Sequence, residues 1–154
     1  MKRKPSEIQK DRIKEIEEKA ISLLNMSDTV MLASVNENGY PRICPMTKQR
    51  AVGFHEIYFV TSKRSEINGK ATHFEKNSKA GVCCNINGDS ITLIGYVEFI
   101  EDKELKASFW NESDRRFFKK GSDDPKYRVL KFNTTEATFW IEGKFRTVKY
   151  KEKK

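Results

Sequence analysis

A chain of 154 residues and 17.9 kDa, 37% hydrophobic with a mean hydropathy of −0.72, is long enough to bury a core and has no apolar run near membrane-span length. Its net charge of +8 gathers at the two ends, at residues 2–4 and 149–154, while the signs mix elsewhere, which marks a solvated surface and argues against nucleic acid as a partner. No apolar segment follows the charged N-terminus, and Cys44, Cys83 and Cys84 lack paired spacing, so reduced thiols and a cytoplasmic location are expected.

In chain order, residues 6–9 (Ser-Glu-Ile-Gln) have the form of a capping box, and Ile13, Ile16, Ala20, Leu23 and Leu24 recur at helical spacing. A helix over residues 6–25 follows, with its apolar face against a sheet. Residues 30–35 read as an apolar strand, 36–39 (Asn-Glu-Asn-Gly) as a turn, and 41–48 as the return arm of a hairpin. Pro41 and Pro45 cannot donate to a ladder, so that arm is an edge or is interrupted where another group meets the backbone. After a loop over 49–54, a strand over 56–61 ends in Thr61, Ser62, Lys63, Arg64 and Ser65, ahead of a short helix within 66–77. Hydroxyls, helix-start N–H groups and a lysine such as Lys70 are the materials of an anion site.

Strands over 79–86 and 90–100 flank a hairpin turn at 87–89, and Gly95 marks a bulge or bend. Cys83 and Cys84, being adjacent, should face opposite sides of their strand. Neither His55 nor His73 has zinc-ligand spacing. Asp102 is placed to cap a helix over 103–118, which Gly121-Ser-Asp-Asp-Pro125 ends. Residues 127–132 and 136–141 read as two last strands, and residues 147–154 as a frayed basic tail. Several antiparallel strands with few helices predict a mainly β, α+β fold: one domain over residues 1–154, a six- to seven-stranded antiparallel barrel of the split type.

Val60-Thr61-Ser62, then Ser65, Lys70, His73-Phe74 and Asn77-Ser-Lys-Ala-Gly-Val82, resemble in their order the pyridoxamine 5′-phosphate oxidase-like superfamily. Gly88-Asp-Ser-Ile-Thr-Leu-Ile-Gly95 and Phe139-Trp140-Ile-Glu-Gly143 fit the same pattern. Trp110, Gly121-Ser-Asp-Asp-Pro125 and Tyr127-Arg-Val-Leu-Lys-Phe132 are most similar to its general-stress-protein branch. The resemblance covers residues 20–146 and implies a split β-barrel homodimer with FMN in the interface. It places Pro45 and Met46 against the flavin ring, Val60, Thr61 and Ser62 at the ring edge or ribityl chain, and Ser65 with Lys70 at the phosphate. It also implies a phosphate-side role for Lys48, a flavin-side position for Ser90, cofactor packing by Trp140 of the second subunit, and substrate contact by Arg146.

Three departures are visible. Ser65 and Lys70 are spaced more widely than the family's usual Ser-x-Lys, Cys44 stands where relatives often carry arginine, and Ser108 and Glu112 occupy the positions of a phosphate-holding tyrosine and arginine. A glutamate there repels a substrate phosphate, so vitamin B6 oxidation is not expected. An FMN-dependent oxidoreductase of unknown substrate remains, with no residue marked as catalytic. The same motifs suit a flavin-binding stress or sensor protein without turnover, or a split barrel holding haem or a deazaflavin.

Overall fold

The computed structural model describes residues 2–63 and 69–151. Helix α1 (Pro5–Met26) precedes β1 (Thr29–Val35), β2 (Pro41–Thr47), β3 (Arg50–Val52) and β4 (Glu56–Ser62). Helix α2 (Lys70–Lys76) leads to β5 (Lys79–Ile86), β6 (Asp89–Ile100) and α3 (Lys103–Ser108). Two short 3-10 turns, Glu112–Arg116 and Gly121–Asp123, then connect to β7 (Tyr127–Ile141) and β8 (Lys144–Lys149). The strands form one antiparallel sheet in the order β2-β1-β5-β6-β7-β4-β3, with β8 beside β7, curled into a half-barrel with the helices flanking it. This is the split-barrel α+β architecture. Among the described residues no helix is long and apolar enough to cross a membrane.

Several elements differ from their sequence reading, each for a physical reason. Helix α1 begins at Pro5, whose preset φ suits a first helical position, and the Glu7 carboxylate accepts the Lys4 N–H at 3.3 Å. Ser6 is therefore inside the helix and not its cap. The expected loop over 49–54 contains β3, which pairs with β4. The helix after Asp102 is shorter than expected, although Asp102 does cap it, accepting the Leu105 N–H at 2.7 Å. It stops at Ser108 because Phe109 and Trp110 turn inward with Tyr58, Phe118, Tyr127 and Val129 to form a second apolar cluster.

The two expected final strands are one strand with a bulge. Gly95 pairs with Thr134 while Ile94 pairs with Glu136, so Thr135 is the extra residue without a register partner, its hydroxyl donating to the Ile94 carbonyl at 3.2 Å. The first half of β7 is held between β6 and β4, and the second half between β6 and β8. Strand β8 itself takes in residues read as the start of a frayed tail. Beyond it, the Tyr150 ring packs at 5.5 Å from Phe54 and its hydroxyl donates to Glu17 of α1 at 2.8 Å.

The main core lies between the concave face of the sheet and α1. Ala20, Leu23 and Leu24 of the helix meet Leu32, Ile57, Phe59, Leu93, Phe132 and Phe139 of the strands. Each such leucine or phenylalanine contributes roughly 1.5–3 kcal/mol by leaving water. Asn87 and Gly88, at φ 50° and 87°, make the two-residue β5–β6 turn. Cys84 is buried and Cys83 half-buried on the other side of β5, and among the described residues all three cysteines are free thiols.

One buried polar cluster interrupts the apolar interior. Lys70, the first residue of α2, donates to the Ser34 hydroxyl at 2.8 Å and to the Arg42 carbonyl. Ser34 Oγ lies 2.8 Å from His73 Nδ1, while His73 Nε2 is buried and has no partner among the described residues. Burial, then the charges of Lys70 and Arg42, hold the His73 pKa below its ordinary value of 6.5. Burial likewise lowers the pKa of Lys70.

Two outcomes follow from these contacts. A Cβ at Gly95 would lie 1.8 Å from the Asn133 carbonyl oxygen, so Gly95→Ala should cost about 3 kcal/mol and lower Tm by several degrees in a melting experiment. An unchanged Tm would contradict that packing. For His73, the unfolded chain takes up a proton as pH falls through about 6.5 while the folded chain resists, so stability declines below that point. Denaturation midpoints at pH 7 and pH 5.5 should therefore differ less in His73→Gln than in the wild type.

Candidate functional site

Among the described residues β2 and β4 are not paired with each other, and a cavity of about 900 Å3 occupies the seam between them. Its first wall is the end of β2, with Pro45, Met46 and Thr47. Asn36 N–H donates to the Tyr40 carbonyl at 2.9 Å, and alternation from that bonded pair puts Pro41 and Pro45 at non-bonded pairs with Val35 and Met31. A proline there removes no ladder bond to β1. It leaves the outer edge of β2 without donors at those positions, so the arm is an edge that faces the seam.

The second wall is the end of β4. Val60, Thr61 and Ser62 are half-buried, and their backbones are paired with Val129, Arg128 and Tyr127 of β7. Among the described residues the hydroxyls of Thr61 and Ser62 have no side-chain partner, and both residues line the cavity. The third wall comes from the segment after β6: Asp114, Phe117, Phe118 and Lys126. Phe118 is anchored by edge contact with Tyr127 at 5.1 Å, whereas Phe117 is 56% exposed. Lys63 N–H donates to the Lys126 carbonyl at 2.8 Å, which ties this wall to the end of β4. Backbone N–H groups of Lys126 and Lys120 hold the Asp124 carboxyl below its usual pKa and so fix the turn.

Five of the expected site residues thus meet at one cavity: Pro45, Met46, Val60, Thr61 and Ser62. The others do not line it. Lys48 Nζ donates to the Leu24 carbonyl at 2.5 Å, where it satisfies the C-terminal end of α1. Lys70 is turned into the cluster with Ser34 and Arg42. Ser90 and Trp140 are register partners on β6 and β7, with Trp140 43% exposed and its ring 6.2 Å from Phe145. Arg146 lies on β8 beside α1. Ser65 lies outside the described residues.

Sequence reasoning missed Thr47, Gln49 and the whole third wall. Nothing in the spacing of Asp114, Phe117, Phe118 and Lys126 points to β2 or β4; only packing of the second apolar cluster brings them there. Chemically the cavity offers an apolar surface from Pro45, Met46 and Val60, hydroxyls at one edge, and one ammonium. Lys126 has no ion-pair partner among the described residues, and neither has Asp114. Among the described residues no group of three or more His, Cys, Asp or Glu side chains is arranged to hold a metal ion.

Comparison with known proteins agrees with this architecture. A protein from Clostridium acetobutylicum related to general stress protein 26 of Bacillus subtilis is 23% identical, with TM-score 0.73 over 88% of this chain and 94% of that one. General Stress Protein 26 from Bacillus anthracis is 27% identical, with TM-score 0.68 over 86% of this chain and 98% of that one. A heme binding protein from Mycobacterium smegmatis, 14% identical, shares the fold with TM-score 0.66 over 87% of this chain and 57% of that one. No curated protein matches. The profile of the family described as Pyridoxamine 5′-phosphate oxidase like matches residues 15–153, and the chain belongs to that family.

Proposed function

We propose that the seam cavity binds FMN and that the protein is a homodimeric, cytoplasmic flavoprotein, an oxidoreductase whose substrate is not a B6 phosphate. The observation that carries this reading is the cavity itself. Its volume of about 900 Å3 lies within the usual range for small-molecule sites, and its walls sort into an apolar face and a hydroxyl edge. A flat ring suits Pro45, Met46 and Val60, and its polar rim suits Thr61 and Ser62. Lys126 supplies the cation for the phosphate. Bound FMN would supply the hydride and electron chemistry, while the chain holds and orients it.

The lining favours flavin over haem. Among the described lining residues there is no histidine, cysteine or tyrosine, and a haem iron would have Met46 as its side-chain ligand without a histidine opposite it. Lys70 acts in this reading as a bridge between α2, β1 and β2, its two bonds to Ser34 and Arg42 keeping the β2 wall in place.

A second subunit would cover the convex face of the sheet. Met31, Ile43, Ile94 and Trp140 lie exposed there on β1, β2, β6 and β7, between 39% and 63% accessible. The row Met31, Cys83, Thr92, Thr138 and Thr147 crosses the same face in register without a charge. This uncharged, partly apolar row, bordered on the same face by Glu136 and Lys149, is a surface of the kind a C2 interface uses. Trp140 and Ser90 would then approach the partner's flavin, as the family resemblance implies.

Titration of FMN into the protein, followed by flavin fluorescence, tests the assignments. Lys126→Ala should weaken FMN about tenfold with Tm unchanged. Lys70→Ala should lower Tm more than it lowers FMN affinity; loss of flavin with an unaltered Tm would move the phosphate site to Lys70. Ile94→Glu should shift the protein from dimer to monomer in sedimentation, and a dimer that survives would reject this face. Flavin that binds but is not reduced by NADH or NADPH would favour a sensor or storage protein over an oxidoreductase.

A further inference from the structure

Cys44 and Lys70 meet on the concave side of the sheet, outside the lining of the seam cavity. On β2, Arg42 and Cys44 are two residues apart and so share a face, and their register partners on β1, Ser34 and Leu32, are buried on that same side. Lys70 reaches this face from the start of α2, where it donates to Ser34 Oγ at 2.8 Å and to the Arg42 carbonyl. Its Nζ is thereby held beside the Cys44 side chain. Burial lowers the Lys70 pKa, and the Cys44 sulfur, as a charge and as a hydrogen-bond partner, opposes that shift. Lys70 is 8% exposed, whereas the Cys44 thiol is half-buried and open to a small solute.

A thiol and an amine are both nucleophiles, so a bond between them requires an oxidant. Hydrogen peroxide supplies one: the Cys44 sulfur attacks a peroxide oxygen, the O–O bond breaks, and a sulfenic acid forms with release of water. The Lys70 amine then attacks that sulfur, the S–O bond breaks, and the hydroxyl leaves as water with a proton from the amine. The pair loses two hydrogens and two electrons, and the peroxide ends as two waters. Burial keeps a share of Lys70 neutral and therefore nucleophilic, and the hydrogen bonds to Ser34 and Arg42 hold it in place for the attack. The other two thiols are placed differently. Cys84 is buried, which raises its pKa, and the lysine near it, Lys48, is held on the Leu24 carbonyl. Cys83 lies on the convex face beside the Thr92 hydroxyl, 3.6 Å away.

We propose that Cys44 and Lys70 are a peroxide-sensitive pair that closes into a sulfenamide, an S–N bond that fastens α2 to β2 and reopens on reaction with a thiol. The bond adds a covalent tie to the hydrogen bonds through which Lys70 steadies β2, and it diverts Cys44 from the irreversible sulfinic acid. The inference is independent of the flavin reading, since neither residue lines the seam cavity.

Exposure of the full chain to hydrogen peroxide, followed by non-reducing peptide mapping in a mass spectrometer, tests the proposal. The expected product is the Cys44 peptide joined to the Lys70 peptide, lighter than their sum by two hydrogens. Oxidation should also raise Tm by several degrees, because a link between residues 44 and 70 constrains the unfolded chain, and dithiothreitol should reverse both changes. Cys44→Ser should abolish the joined peptide and the rise in Tm. Lys70→Arg, which keeps donors for Ser34 and the Arg42 carbonyl, should let Cys44 proceed to sulfinic acid. A wild-type Cys44 that stays a thiol, forms a disulfide or ends as sulfinic acid would overturn the proposal, as would a joined peptide that retains an oxygen or one that persists in Lys70→Arg.

Discussion

The close approach of Gly95 to the backbone of Asn133 is the constraint on which the rest of the molecule depends. Any side chain at residue 95 would collide with that carbonyl, so the bulge at Thr135 exists only because β6 has a glycine opposite it. The bulge turns a fifteen-residue strand through the sheet and gives its two halves different neighbours. One half pairs with β4 and the other with β8. Without that change of neighbour β4 would not be carried around to face β2, and there would be no seam.

Two further devices keep the seam open and shaped. Prolines at non-bonded positions of β2 prevent it from recruiting another strand along that edge, a common protection of exposed edges. The second apolar cluster then pulls the segment after β6 across the opening. Tyr127 sits at its centre, fully buried, and burial pushes its hydroxyl pKa up to about 12. The cavity is thus the space left among three separately stabilised walls, and its apolar and polar sides follow from which residues of β2 and β4 end there.

The elements that could be read from sequence are those with local causes. The periodicity of Ile13 to Leu24, the Asn-Gly turn at residues 87–88 and the prolines of residues 41–45 each act within a few residues, and the structure agrees with them. The strand end at Val60 to Ser62 was legible because its apolar-to-hydroxyl change is itself local. What was not legible depends on distant partners. The lysines illustrate this: the family resemblance implies a phosphate-side role for Lys48 and Lys70, and the structure shows contacts the sequence did not, Lys48 with the Leu24 carbonyl and Lys70 with Ser34 and the Arg42 carbonyl. Lys126, unremarkable beside Pro125, reaches the cavity because residues 109–127 fold into the second cluster. Strand β8 was hidden for the same reason, since its lysines read as a tail until β7 supplies the ladder.

The visible absorbance spectrum of the protein, taken after incubation with FMN and removal of free ligand by gel filtration, tests the central claim most directly. The account predicts the paired flavin bands at one FMN per protomer. A spectrum without flavin, or one in which added haem displaces FMN and gives a Soret band, would contradict it.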